Sequence, residues 1–309
     1  MTTNSNQPQL DYVTCASPSG LHRMAYWQWG DPNNDKVLLC VHGLTRTGRD
    51  FDLLAQALQN DYRVVCPDIV GRGKSDWLID PIAYAVPQYI SDIVTLIAKL
   101  NPRSLDWLGT SMGGLIGLGL AGALSFSKAL RPNRGEFGLP ASMDIPLKRM
   151  ILNDVGPVLD MSGLARIGDY VGAEQVFDSF DEAVNYVKTT SPGFGEHDAA
   201  GWAALTEHVF NQIDGKWYKH YDLRMSQAFA AQTPEVIKAS EVMLWQAWSA
   251  LPDKAMIIRG ADSDLLSQQT VAEMLSKKPN AVTCEFSNVG HAPMLRNDEQ
   301  IKAVCDFLL

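Results

Sequence analysis

Long apolar runs are missing from this sequence. The longest, around Leu115–Leu124, is broken by Gly117, Gly119 and Gly122 and falls short of the roughly 20 residues that a membrane-spanning helix needs. Clusters of Lys and Arg are missing too, and the formal net charge is -9. A polyanion such as nucleic acid is therefore not an expected partner. Cysteine is scarce: Cys15, Cys40, Cys66, Cys284 and Cys305 are scattered, with no pair at metal-ligand spacing. Cys40, Cys66 and Cys284 lie in apolar runs and read as buried thiols, which fits a reducing cytoplasm. The stretch 1–10 has neither the basic start nor the apolar core of a signal peptide, and is expected to be a flexible tail. No internal repeat or low-complexity tract interrupts the chain.

What is present describes a soluble globular protein, with 46% hydrophobic and 20% charged residues. A length of 309 residues suits an α/β enzyme carrying an insertion. Alternating apolar and polar residues over Asp11–Trp29 predict a pair of antiparallel strands. Val37–Val41, Tyr62–Cys66, Met150–Asn153 and Ala255–Arg259 are short apolar runs, as in parallel strands buried on both faces. Phe51–Leu58 and Tyr89–Leu100 have helical spacing, the second with Ile90, Ile93, Val94, Ile97 and Leu100 on one stripe. This alternation predicts a mainly parallel sheet with helices on both faces. Arg131–Glu136 and Leu139-Pro140 break the pattern, so 125–148 reads as a surface excursion. Over Val155–Gln246 no strand-and-helix rhythm is visible. Asp181–Val187, Ala200–Phe210 and Tyr221–Ala230 are candidate helices of an insertion over the sheet edge. Val282–Phe286 and Gln300–Leu309 close the chain as strand and helix.

The stretch Leu105–Leu118 holds Gly109-x-Ser111-x-Gly113 between an apolar run and a run of small residues. That pattern predicts a strand, a tight turn and a helix, with the Ser111 hydroxyl standing clear as a nucleophile. Among six histidines, His291 in Gly290-His291 lies on a loop before the last helix, and is the candidate general base. The acid is sought between them, after a strand. Asp264 and Asp262 in the 260–266 loop compete. Asp264 is favoured because Leu265-Leu266 follow it; Asp262 stays open. The oxyanion donors are expected to be the backbone N–H groups of Met112 and of Leu44, in the loop after Val37–Val41.

Together, His42-Gly43, Asp68-x-x-Gly71-x-Gly73-x-Ser75, Gly109-Thr110-Ser111-Met112-Gly113-Gly114, the 260–266 loop and Gly290-His291 resemble the α/β-hydrolase fold superfamily. The resemblance implies an eight-stranded, mostly parallel sheet with helices on both faces and a helical cap. The core would comprise 11–154 and 247–309, and the cap 155–246. The family's common glycine-to-acid spacing falls on Ser263, which cannot serve as the acid.

These parts predict a serine esterase that cleaves small to medium esters through an acyl-enzyme, without metal or organic cofactor. Carbon–carbon bond hydrolysis of diketones, and lactonase or cofactor-free haloperoxidase activity, would use the same residues. A ligand receptor of this fold is the non-enzymatic alternative. Arg46, Trp202 and Phe194 are candidate substrate contacts.

Overall fold

Aliphatic runs build the centre of the sheet, because a strand covered by helices on both faces has no solvent side. In the computed structural model, which describes residues 7–130 and 144–309, Val37–Val41 are fully buried in β3 (Lys36–Val41). Its neighbours are β4 (Arg63–Pro67) and β5 (Ser104–Thr110), both parallel to it. The sheet continues through β6 (Leu147–Asn153), β10 (Lys254–Gly260) and β11 (Val282–Phe286), all parallel. On the other side of β4 lies the expected antiparallel pair, β1 (Gln9–Ser17) and β2 (Gly20–Trp29). The order β1-β2-β4-β3-β5-β6-β10-β11 makes an eight-stranded, mostly parallel sheet.

Helices cover both faces. On α2 (Val86–Leu100), Tyr89, Ile93, Leu96, Ile97 and Leu100 are buried, whereas Val94 is 40% exposed and lies off the stripe assigned to it. The αL conformation of Asn101 ends this helix. Helix α3 (Met112–Leu130) follows Ser111. Its segment Met112–Ala129 is long and apolar enough to cross a membrane, contrary to the sequence reading, because its glycines interrupt the apolar run without ending the helix. The helix packs instead on β5, α2 and α8 (Pro234–Ala250). Helices α1 (Asp52–Leu58) and α10 (Asp298–Leu308) pack together on the sheet, and α9 (Gln268–Lys277) connects β10 to β11.

Between β6 and α8 the chain forms α4 (Met161–Tyr170), α5 (Phe180–Thr190), α6 (Ala199–Glu207) and α7 (Met225–Ala230). It also holds strands, contrary to the sequence reading. A hairpin, β8 (Phe210–Ile213) and β9 (Lys216–Lys219), turns at Asp214-Gly215 and pairs with β7 (Val176–Phe177). Both turn residues have positive φ, 51° and 79°, as a two-residue hairpin turn needs. The boundary expected at 246 falls inside α8, whose Ala247 lies against Gly122 of α3. Most of the expected excursion, 131–143, lies outside the described residues; its first residues continue α3 and its last belong to β6.

Candidate active site

The C-terminal ends of parallel strands face one edge of the sheet, and side chains from several strands converge there. After β5 the chain turns sharply at Ser111, whose φ is 52°. Such a turn demands small neighbours. A Cβ on Gly109 would run into the Gly113 backbone, and one on Gly113 into the Val41 carbonyl. The turn is held from β6, where Asn153 O accepts from Ser111 N at 2.9 Å.

His291 stands between this serine and a carboxylate. Its Nε2 lies 2.8 Å from Ser111 Oγ and its Nδ1 2.8 Å from Asp154 Oδ2. Asp154 was not among the sequence candidates. It follows β6 directly, has φ of 55° and is fully buried. The register explains its place. Thr110 pairs with Asn153, so the next residues, Ser111 and Asp154, leave neighbouring strands side by side. Asn153 reinforces the junction: its Nδ2 donates to Thr110 Oγ1 at 2.9 Å and to Pro293 O, in the histidine loop, at 2.8 Å. Asp154 also accepts from Gly260 N at 2.9 Å and from Ser263 Oγ at 2.5 Å. Ser263, set aside as unable to be the acid, thus bonds the carboxylate that meets the histidine.

The two carboxylates favoured from the sequence stand elsewhere. Asp264 forms a two-pronged pair with Arg166, at 2.6 and 2.9 Å. The Arg166 guanidinium holds its carboxyl below the usual carboxylate range. The side chain of Asp262 has no hydrogen-bond partner among the described residues; its backbone N–H donates to Val289 O. Asp154, not Asp264 or Asp262, is the residue hydrogen-bonded to His291.

In the loop after β3, a Cβ on Gly43 would sit 3.7 Å from Ser111 Cβ, which brings the next residue, Leu44, near the serine, as Met112 is at the start of α3. Neither backbone N–H has an acceptor among the described residues, so both are free to donate. The loop is rigid. His42 is wholly buried, its Nδ1 lies 2.7 Å from Gly43 O, and its Nε2 accepts from Ile69 N at 3.0 Å. Burial pushes its imidazole down to about 3, so it stays neutral. Arg46 is engaged by Asp50, at 2.8 and 2.5 Å, and by Leu205 O of α6 at 2.8 Å. It ties this loop to the inserted segment, and Phe194 lies under its guanidinium at 5.4 Å. Trp202 is buried against Leu205, Val209 and Met294 and forms one wall of an open pocket of about 540 Å³ with Pro192, Gly195 and His197. One cluster with ligand-bearing side chains escaped the sequence reading. Cys15, His22 and Asp92, on β1, β2 and α2, lie within 4.8 Å of one another, with His22 Nε2 bonded to Asp92 at 2.9 Å.

The alpha/beta hydrolase family model matches residues 38–304. The chain belongs to this family. It is 47% identical to a 3-hydroxybutyrate-oligomer hydrolase from Cupriavidus necator, over 98% of each chain. An alpha/beta hydrolase structure from Novosphingobium aromaticivorans superposes with a TM-score of 0.79 at 30% identity, covering 98% of each chain. E-2-(acetamidomethylene)succinate hydrolase shares the fold, with a TM-score of 0.76 at 18% identity over 97% of this chain and 99% of that one. This family member is an ester-hydrolysing enzyme, and the receptor reading falls.

Proposed function

We propose that the enzyme hydrolyses the ester bonds of short 3-hydroxybutyrate oligomers, with Ser111 as nucleophile, His291 as base and Asp154 as acid. The continuous line from Ser111 Oγ through His291 to the buried Asp154 carboxylate carries the chemical part. Likeness to the Cupriavidus hydrolase over the full length supports the substrate.

Ser111 Oγ attacks the ester carbonyl while its proton passes to His291 Nε2. Asp154 keeps the other ring proton on Nδ1 and stabilises the imidazolium. The N–H groups of Leu44 and Met112 hold the oxyanion. The C–O bond then breaks, and the departing alkoxide takes the proton from Nε2, leaving an acyl-Ser111. Water, deprotonated by His291, releases the acid and restores the serine. Residues between β6 and α8 act as a cap that shapes the space above Ser111. The five cysteines are unpaired, which supports a cytoplasmic setting.

Incubation of the purified enzyme with 3-hydroxybutyrate dimer and trimer, followed by chromatography, is expected to show monomer. Turnover of a nitrophenyl ester without cleavage of either oligomer would refute the substrate assignment.

A further inference from the structure

A second, smaller cavity lies where β9, α4 and α5 meet the loop that follows β3. Thr45, Arg46, Tyr170, Tyr186, Lys219 and Tyr221 line it, and its volume is about 40 Å³. That is room for one compact polar group and not for an acyl chain. Two features of its wall suit an anion. The Lys219 ammonium donates to Tyr170 O at 3.2 Å and Ala173 O at 2.7 Å, but no carboxylate pairs with it among the described residues. An ammonium has three N–H donors, so one is unspent. The Tyr221 side chain is only 4% exposed and its hydroxyl makes no well-formed hydrogen bond, although the Gly172 N–H lies near.

Lysine at the C-terminus of α4 would by itself be an ordinary helix cap. Capping does not account for the void or for the orphan hydroxyl. Charge points the same way. The guanidinium of Arg46 is balanced by Asp50, which leaves Lys219 as the uncompensated charge on the wall. The rings of Tyr186 and Tyr221 lie 5.1 and 5.7 Å from its nitrogen. Burial holds the ammonium down to about 8, and a bound anion would reverse that effect.

Between Lys219 and Tyr221, His220 connects this wall to the proposed oxyanion loop. Its Nδ1 accepts from Gly73 N at 2.8 Å and its Nε2 lies 3.0 Å from Thr45 O. Thr45 follows Leu44, so the cavity begins one residue from a proposed oxyanion donor. In a hydroxybutyrate oligomer, the last ester carbonyl and the terminal carboxylate are separated by a single monomer unit.

We infer that this cavity binds the terminal carboxylate of the substrate, through the Lys219 ammonium and the Tyr221 hydroxyl, and directs cleavage to the ester bond nearest that end. The inference rests on the function proposed above. The leaving alcohol is then 3-hydroxybutyrate itself, and oligomers shorten one unit at a time from the carboxyl end.

The test compares kcat/KM for the 3-hydroxybutyrate trimer as free acid and as its methyl ester, in the wild-type enzyme and in Lys219→Gln, Lys219→Arg and Tyr221→Phe. The wild type is expected to prefer the free acid by about tenfold or more, the worth of one charge-assisted hydrogen bond. Lys219→Gln should remove most of that preference through KM, Tyr221→Phe part of it, and Lys219→Arg should keep it in part. A wild type that cleaves both trimers equally well overturns this inference alone, without need of a variant. Retention of the preference in Lys219→Gln overturns it as well. Failure to cleave either trimer, with nitrophenyl ester turnover intact, overturns the functional proposal and the inference with it.

Discussion

Replacing Asp154 by Asn separates the two acid assignments. The Asp154 carboxylate accepts three hydrogen bonds, from His291 Nδ1 at 2.8 Å, Ser263 Oγ at 2.5 Å and Gly260 N at 2.9 Å, and is fully buried. An amide has one acceptor oxygen, so its NH2 must face one of these donors. If it faces His291, the imidazole turns its acceptor nitrogen to the amide. Its proton then points from Nε2 at Ser111 Oγ, and the ring can no longer take the serine proton. The expected loss in kcat is about 10³ to 10⁴, or about 4–5.5 kcal/mol of transition-state stabilisation. KM should change little, because Asp154 touches the histidine and not the substrate. Asp264→Asn is the control. Its pair with Arg166 has both side chains about one-third exposed, and such pairs contribute about 0–1 kcal/mol to stability. Its kcat should stay within about threefold of wild type. Steady-state kinetics on a nitrophenyl ester, with thermal melts to show that both variants fold, would decide. A near-normal Asp154→Asn beside a crippled Asp264→Asn would refute the reasoning.

Two further predictions concern the frame around the site. Gly193 abuts the histidine loop: a Cβ there would sit 2.9 Å from both His291 N and His291 O, and backbone cannot yield as a side-chain tip can. Gly193→Ala should therefore lower kcat about tenfold or more with the fold retained; kinetics beside a circular dichroism spectrum check this, and unchanged kcat contradicts it. The second concerns acid. Burial holds His42 and His220 down to about 3 and His208 down to about 4, whereas an unfolded histidine titrates near 6.5, about the usual value. Below that value the unfolded chain binds more protons, so stability is full above 6.5 and falls as pH drops towards 3. Asp68, which burial pushes up to about 6, and Asp52, which burial also raises, oppose this trend as two groups against three. Urea midpoints should thus be lower at pH 4.5 than at pH 7, and the His42→Gln, His220→Gln double variant should show a shallower dependence. An unaltered pH slope in that variant would contradict the account.

Much of the sheet was legible because buried parallel strands are short, wholly apolar runs, and Val37–Val41 or Ala255–Arg259 admit few other readings. Ser111 and His291 were singled out by a five-residue glycine pattern and by a loop position near the end of the chain. The structure brings their polar atoms to 2.8 Å. The carboxylate at His291 Nδ1 was not legible. Chain order admits Asp154 as readily as Asp262 or Asp264, since all three follow apolar strands between Ser111 and His291. Register chooses among them, through Thr110 pairing with Asn153, and register is a long-range property. Asp214-Gly215 is a hairpin signal, but the strands beside it are only four residues each and lack the long alternation that marks a strand in sequence. The expected end of the inserted segment, 246, falls inside α8, for a related reason. The residues of α8 resemble those of the helices before it, and its packing on α3 depends on Gly122 leaving room for Ala247.

The most direct test of serine catalysis is mass spectrometry of the enzyme after a fluorophosphonate probe. One adduct is expected, on the peptide that carries Ser111, with loss of oligomer hydrolysis in step with labelling and no adduct in Ser111→Ala. Oligomer hydrolysis that persists in fully labelled enzyme or in Ser111→Ala would contradict serine catalysis.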